Sequence, residues 1–162
     1  RKQHGGVDRD IVIDHTVASN GLVSIEPRGI GAGHQIVFRF TTPPTQPGQG
    51  LVTPVGAANA VINPMDANEV IVTVTDVPTN SRSTILLLNV NGKTDISASL
   101  GFLLGDVNND RVVTPVDVSR VKARSGQAVD AQNFQYDLNA SGFITAADIA
   151  AVKVKSGTTL TP

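Results

Sequence analysis

A duplicated loop is the feature that most constrains what this chain of 162 residues can fold into. Residues 106–117 read DVNNDRVVTPVD, and residues 137–148 read DLNASGFITAAD, at an offset of 31. The similarity continues past both loops, since DVSRVKARSGQ (117–127) aligns with DIAAVKVKSGT (148–158). Self-similarity over such a period indicates one supersecondary unit that the chain uses twice.

The polar residues of the two loops recur at the same loop positions. Ca²⁺ takes about six to eight oxygens, and a tight loop can offer side chains at positions 1, 3 and 5, a carbonyl at 7, a water or direct ligand at 9 and a carboxylate at 12. We therefore predict two bound calcium ions, one in each loop. The expected ligands are Asp106, Asn108, Asp110, the carbonyl of Val112, Thr114 and Asp117 in the first loop, and Asp137, Asn139, Ser141, the carbonyl of Phe143, Thr145 and Asp148 in the second.

Each loop runs into a predicted helix. The carboxylate at position 12 falls in the first helical turn, where a negative charge complements the helix dipole. Gly126 and Gly157 follow the apolar stripes of the two helices and predict their ends. The aliphatic residues at position 8, Val113 and Ile144, are expected to face the core and to pair with each other in a short bridge between the loops.

On these residues, the segment 105–158 resembles a pair of dockerin type I repeats. The resemblance implies two calcium-binding loop–helix units that pack antiparallel, each without the first helix of a full EF-hand. It also implies a non-catalytic module of a secreted or cell-surface bacterial protein, which attaches its parent to cohesin modules in a cellulosome-like assembly for polysaccharide degradation. The surface expected to bind that partner consists of Pro115, Val116, Lys122, Ala146, Ala147 and Lys153.

The two loops depart from the family pattern at three places. Arg111 stands where the sharp turn normally uses glycine, and a left-handed arginine costs on the order of 1 kcal/mol, whereas the second loop keeps Gly142. Neutral Ser141 replaces the carboxylate of Asp110, so that the carboxylate count predicts tighter calcium binding in the first loop. The helix starts carry Pro-Val and Ala-Ala, where the family often uses Ser or Thr.

The first 104 residues are patterned as strands. EVIVTVTDV (69–77) alternates between two faces, and Asn91-Gly92 between STILLLNV (83–90) and TDISASLG (94–101) is a strong hairpin signal. About seven short strands in this length are typical of an immunoglobulin-like β-sandwich, with a small barrel as the alternative. The remaining expected strands lie at 10–17, 21–27 and 34–42.

We therefore expect two domains, an all-β sandwich over 1–104 and a small α dockerin-like domain over 105–162, an arrangement similar to an X module fused to a dockerin. The join SLGFLLGDV contains no spacer rich in proline, serine or threonine, which would allow independent motion. Its apolar residues Phe102, Leu103 and Leu104 are instead expected to be buried between the two domains.

Several function classes find no support in the sequence. The chain has no cysteine for a disulfide, a net charge of −1 rather than a basic footprint for nucleic acid, and no apolar run of membrane-spanning length. GIGAG (29–33) precedes a strand rather than a helix, so we expect a turn instead of a phosphate loop. We expect no catalysis in this chain, which begins at Arg1 and reads as a fragment of a longer protein, for which a glycoside hydrolase is one candidate.

Two other hypotheses stay open beside the assembly module. In the first, the sandwich binds a polysaccharide and the calcium repeats are a structural cap. Sugar-binding sandwiches usually expose aromatic rings, yet the chain has five Phe and one Tyr, and Phe38 and Phe40 lie on a strand with core character. In the second, the two domains recognise each other between chains and build a polymer.

Overall fold

The computed structural model describes residues 1–13 and 23–160. The regular structure of the described chain is mainly β-strand, followed by two short α-helices joined through a single turn of 3₁₀ helix at Phe134–Tyr136. The strands are β1 (Lys2–His4), β2 (Val7–Arg9), β3 (Ser24–Glu26), β4 (His34–Arg39), β5 (Gln49–Thr53), β6 (Ala57–Ile62), β7 (Glu69–Thr75), β8 (Ser81–Val90) and β9 (Thr94–Phe102), and the helices are α1 (Pro115–Lys122) and α2 (Ala146–Lys155).

Seven of these strands form two sheets that share one hydrophobic core. The order is β3-β9-β8-β5 in one sheet and β4-β7-β6 in the other, with β1 and β2 forming a separate hairpin. Alternate residues of β7 and β8, such as Val72 and Ile85, point into the shared core and are fully buried. The first part of the chain is therefore a β-sandwich, because the period-2 alternation places one face of each sheet against the other.

The hairpin signal at Asn91-Gly92 is confirmed. β8 and β9 pair antiparallel on either side of it. Asn91 and Gly92 have φ of 53° and 72°, the left-handed conformation that glycine and asparagine adopt most easily. The predicted strands at 34–42, 69–77, 83–90 and 94–101 all occur, with bounds shifted by a few residues.

The strand predicted at 10–17 is wrong over 10–13, which lie outside any strand, and residues 14–17 are outside the described residues. Of the strand predicted at 21–27, residues 24–26 form β3, and residues 21 and 22 are outside the described residues. Strands β1, β2, β5 and β6 were not predicted, because their short or polar sequences carry little apolar alternation. The predicted turn at GIGAG is confirmed, since Gly33 donates its amide hydrogen to the carbonyl of Ile30 at 2.8 Å.

The two helices cover a second hydrophobic core. Val113, Val121, Ile144 and Val152 are fully buried in this core. Val23 and Ile25, at the start of the sandwich sequence, are buried in the same cluster. The second core therefore draws on residues from the expected sandwich as well as on the repeats.

The join between the two parts is buried, as the sequence predicts for Phe102 and Leu103. Phe102, the last residue of β9, packs in the sandwich core, and Leu103, the residue after it, packs in the helical core. Leu104 is half-buried against the helical core. The backbone continues the attachment, since Gly105 donates to the carbonyl of Pro27 at 2.9 Å. This packing fixes the position of the repeats on the sandwich.

Candidate metal centre

The two duplicated loops follow the same backbone path. Positions 4 and 6 are left-handed in both, with φ of 64° and 71° at Asn109 and Arg111, and 58° and 95° at Ala140 and Gly142. The left-handed turn expected at Arg111 is therefore present. Such a conformation costs a non-glycine residue on the order of 1 kcal/mol, a cost that Gly142 avoids in the second loop.

The carboxylate at position 12 closes each loop. Asp117 and Asp148 are fully buried, and each accepts hydrogen bonds from the backbone amide and the hydroxyl of the N-cap residue, Thr114 or Thr145, as part of a capping box. The other oxygen of each carboxylate accepts from the amides at loop positions 2 and 3, at 3.1 and 3.3 Å in the first loop and 2.8 and 3.3 Å in the second. One side chain thus connects the start of the loop to the start of the helix.

In each loop the carboxylate at position 1 accepts hydrogen bonds from backbone amides on the opposite side of the loop. Asp106 accepts hydrogen bonds from the amides of Asp110 and Arg111, at 3.1 and 2.8 Å. Asp137 accepts from the corresponding amides of Ser141 and Gly142, at 3.0 and 2.8 Å. Each loop therefore contains two buried carboxylates held by amides, one from each end of the loop.

The first loop carries negative charge that no basic side chain compensates within the described residues. Burial raises the pKa of Asp106 to about 6, against the effect of the Arg111 and Asp110 amides, and repulsion from Asp110 and Asp117 raises it further. None of the ion pairs found in the described ranges involves an acidic residue of this loop. Two buried carboxylates with excess negative charge around them fit a hard divalent cation.

The second loop has a partner that the sequence did not reveal. His4 Nδ1 lies 2.8 Å from Asp137 Oδ2, and both side chains are fully buried. Burial alone would raise the pKa of Asp137, but the hydrogen bonds from His4 and from the Gly142 and Ser141 amides outweigh it and lower the pKa. The pair is separated by 133 residues, and no local pattern could have indicated it.

The ligands predicted at positions 3 and 5 are more exposed than the carboxylates at positions 1 and 12. Asn108 Nδ2 donates to Asp110 Oδ2 at 2.6 Å in the first loop. In the second loop, Asn139 Oδ1 accepts from the Ser141 amide at 3.0 Å, and the Ser141 hydroxyl donates to the Phe143 carbonyl at 3.0 Å. Within residues 1–13 and 23–160, no three His, Asp or Glu side chains are grouped as a metal site. Any site here depends on amide, hydroxyl and carbonyl oxygens beside the carboxylates.

The expected bridge between Val113 and Ile144 is wrong, although both residues are fully buried. Each loop pairs instead with the segment that follows the other helix. Val113 donates to the Thr158 carbonyl at 2.9 Å, and Ile144 donates to the Gln127 carbonyl at 3.0 Å. Two antiparallel bridges, Val112 with Thr159 and Ala128 with Phe143, therefore place the end of each repeat beside the loop of the other.

All six residues expected to read a partner are exposed on the two helices. They form three pairs of equivalent positions in the repeat, Pro115 with Ala146, Val116 with Ala147, and Lys122 with Lys153. The structure therefore presents two similar faces, one on each helix.

The aromatic side chains do not form a sugar-binding platform on the sandwich. Phe38 and Phe102 are buried and Phe40 is half-buried. Phe143, 57 % exposed, is the one exposed aromatic side chain in the described ranges, and it belongs to the second loop. The polysaccharide hypothesis thus has no support from the positions of the rings.

No helix in the described part of the chain is long and apolar enough to cross a membrane. No curated protein matches the chain. Among solved structures, it is similar to an N-terminal interface mutant of a type II cohesin–X–dockerin complex from Acetivibrio cellulolyticus, with 18 % identity over 79 % of this chain and 98 % of that one, at a TM-score of 0.32. The C-terminal part of the chain, residues 104–155, matches the family model of the dockerin type I domain.

Proposed function

We propose that residues 105–162 form a calcium-binding docking module that attaches its parent protein to a cohesin-type module outside the cell. The observation that carries this proposal is the repeated loop geometry, in which two buried carboxylates are held across each loop in the same way. The match of residues 104–155 to the dockerin type I domain supports the same function.

Each loop would hold one Ca²⁺ through its carboxylates, its amide or hydroxyl oxygens and one backbone carbonyl. When bound, the ion would neutralise the negative charge of the buried carboxylates. The chain's own contribution is to hold those groups in place through backbone amides and the capped helix starts. The proposed ligands are Asp106, Asn108, Asp110, Val112, Thr114 and Asp117, and Asp137, Asn139, Ser141, Phe143, Thr145 and Asp148.

The proposed partner surface is the exposed start of each helix together with one lysine further along it. Val116 is 52 % exposed, so the first helix offers an apolar contact that has no partner within the described chain. Lys122 and Lys153 place a positive charge at equivalent positions of the two repeats. The sandwich of residues 1–104 is proposed as a second domain that supports the repeats and is not itself catalytic.

Calorimetric titration with Ca²⁺ tests the metal sites. We expect two ions to bind the unchanged chain and one ion to bind each of Asp117→Asn and Asp148→Asn, because each variant loses the carboxylate that closes one loop. Asp95→Asn, an exposed carboxylate on the sandwich, is the matched control and should still bind two. Absence of calcium binding to the unchanged chain would contradict the proposed metal sites.

Immobilised type I and type II cohesin modules test the docking surface. We expect binding in Ca²⁺ and none in EDTA, and we expect it to weaken in the double variant Lys122→Glu, Lys153→Glu. Lys93→Glu, in the exposed turn between β8 and β9, is the matched charge reversal and should bind as the unchanged chain does. A calcium-loaded chain that binds no cohesin would contradict the docking function while leaving the metal sites intact.

A further inference from the structure

The hairpin β1–β2 contacts the second of the two duplicated loops. His4 ends β1 and reaches Asp137 at position 1 of the second loop. At position 1 of the first loop, Asp106 accepts hydrogen bonds from backbone amides. The sequence repeat is thus symmetrical, but the surroundings of its two loops are not.

The hydrogen bonds around His4 determine how its ring is used. Arg28 Nη1 lies 3.0 Å from His4 Nε2, and an arginine nitrogen can only donate. His4 Nε2 must therefore accept, which leaves the ring hydrogen on Nδ1, where it is donated to Asp137 Oδ2. The contact fixes both the orientation of the imidazole and the oxygen of Asp137 that receives the hydrogen bond.

The arginine that orients His4 is itself fixed to the sandwich. Arg28 Nε and Nη2 donate to the two carboxylate oxygens of Glu26, both at 2.7 Å, and Glu26 ends β3. All three side chains are buried. A continuous chain of side chains therefore runs from strand β3 through Arg28 and His4 to the second loop.

The backbone of the hairpin also lies close to the second loop. A Cβ atom on Gly142 would come within 2.9 Å of the Gly5 Cα, and one on Gly5 would come within 3.2 Å of the Gly142 Cα. Only glycine at both places allows this approach. Gly6, the neighbouring residue in the hairpin turn, has open space around its Cα, so the contact is specific to Gly5.

We propose that the hairpin β1–β2 is a clamp for the second calcium loop, with His4 as the residue that positions Asp137. Ion binding at that loop is then coupled to docking of the hairpin, whereas the first loop binds its ion independently of it. The inference rests on the proposed calcium function. It adds that the two sites of the duplicated sequence differ in their dependence on the rest of the protein.

Removal of a group that orients a metal ligand without binding the metal itself commonly lowers the metal affinity about 10–100-fold. We therefore expect His4→Phe to weaken Ca²⁺ binding by about 10–100-fold in the Asp117→Asn background, where only the second loop is intact. In the Asp148→Asn background, where only the first loop is intact, the same change should alter affinity by less than about twofold, since His4 forms its hydrogen bonds with Asp137 and Arg28.

Two further variants separate positioning from general damage. In His4→Asn the side-chain amide can still donate where Nδ1 does, so it should restore most of the lost affinity of the second loop. Gly5→Ala should weaken the second loop, and Gly6→Ala should not. Both glycines are left-handed, with φ of 56° and 88°, so the two variants carry similar backbone strain.

Amide hydrogen exchange tests the same coupling in variants whose hairpin sequence is unchanged. Because coupling between two events is reciprocal, Ca²⁺ should slow amide exchange in β1 and β2 in Asp117→Asn but not in Asp148→Asn. Equal protection in both chains, or an equal loss of affinity at both loops in His4→Phe, would overturn the clamp. Failure of the calcium function appears differently, as no calorimetric binding in the unchanged chain.

Discussion

His34 should make the stability of the sandwich depend on pH. It lies on β4, is 4 % exposed, and its ring centroid is 4.7 Å from that of Phe102. Within the described residues its Nδ1 has no hydrogen-bond partner. Burial lowers the pKa of His34 to about 4, with Lys2 and Arg28 contributing in the same direction and Glu26 opposing them.

The sign and size of the effect follow from this pKa. Unfolding returns the imidazole to its ordinary pKa of about 6.5, so between pH 6.5 and 4 the unfolded chain binds the proton and the folded chain does not. Stability is therefore fully present above about pH 6.5 and falls as the pH drops to about 4. A difference of roughly 2.5 pKa units corresponds to about 3 kcal/mol in the free energy of unfolding.

Urea unfolding followed by circular dichroism, in calcium at several pH values from 7.5 to 4, measures this loss. The variant His34→Gln has no imidazole to protonate, so its stability should fall by about 3 kcal/mol less over the same range. All other titrating groups are common to both proteins and cancel in the comparison. If the two curves of stability against pH run parallel, the folded protein accepts the proton on His34 and the reasoning fails.

Three further outcomes are expected. EDTA should remove the circular-dichroism signal of α1 and α2, because so small a hydrophobic core needs bound metal ions for stability. Ca²⁺ but not Mg²⁺ should restore the signal, and an unchanged spectrum would contradict this. Leu103→Ala should lower the free energy of unfolding by about 2–5 kcal/mol, measured by urea, since Leu103 is fully buried; clean proteolysis between residues 100 and 106 of the calcium-loaded chain would contradict the packed join. The carboxylate count predicts tighter Ca²⁺ binding in the first loop, but the His4 contact and the strain at Arg111 favour the second. In calorimetry we therefore expect the second loop to bind about 10-fold more tightly than the first, and the order to reverse in His4→Phe.

The parts of the structure that follow from short stretches of sequence could be predicted. The duplicated loops both have a left-handed residue at position 6, Arg111 or Gly142, and each loop runs into a helix that starts before its position-12 carboxylate. The hairpin at Asn91-Gly92 forms for a similarly local reason, because the backbone conformation depends on the two turn residues. In each case the energy that selects the structure arises within about a dozen neighbouring residues.

The tertiary structure alone decided which of these local units contact one another. The sequence predicted equivalent loops, but the fold places a hairpin with no apolar pattern against one of them and pairs each loop with the end of the other repeat. The parallel pairing of β3 with β9 likewise joins residues 76 positions apart, such as Ser24 and Leu100. Such contacts depend on chain connectivity and on which buried polar groups find partners, so they appear only when the whole chain has packed. The amino-acid sequence by itself determined two similar loops with calcium-type ligands. The packing around His4 made them different, since among the described residues a buried side chain donates to the first carboxylate of the second loop and not of the first.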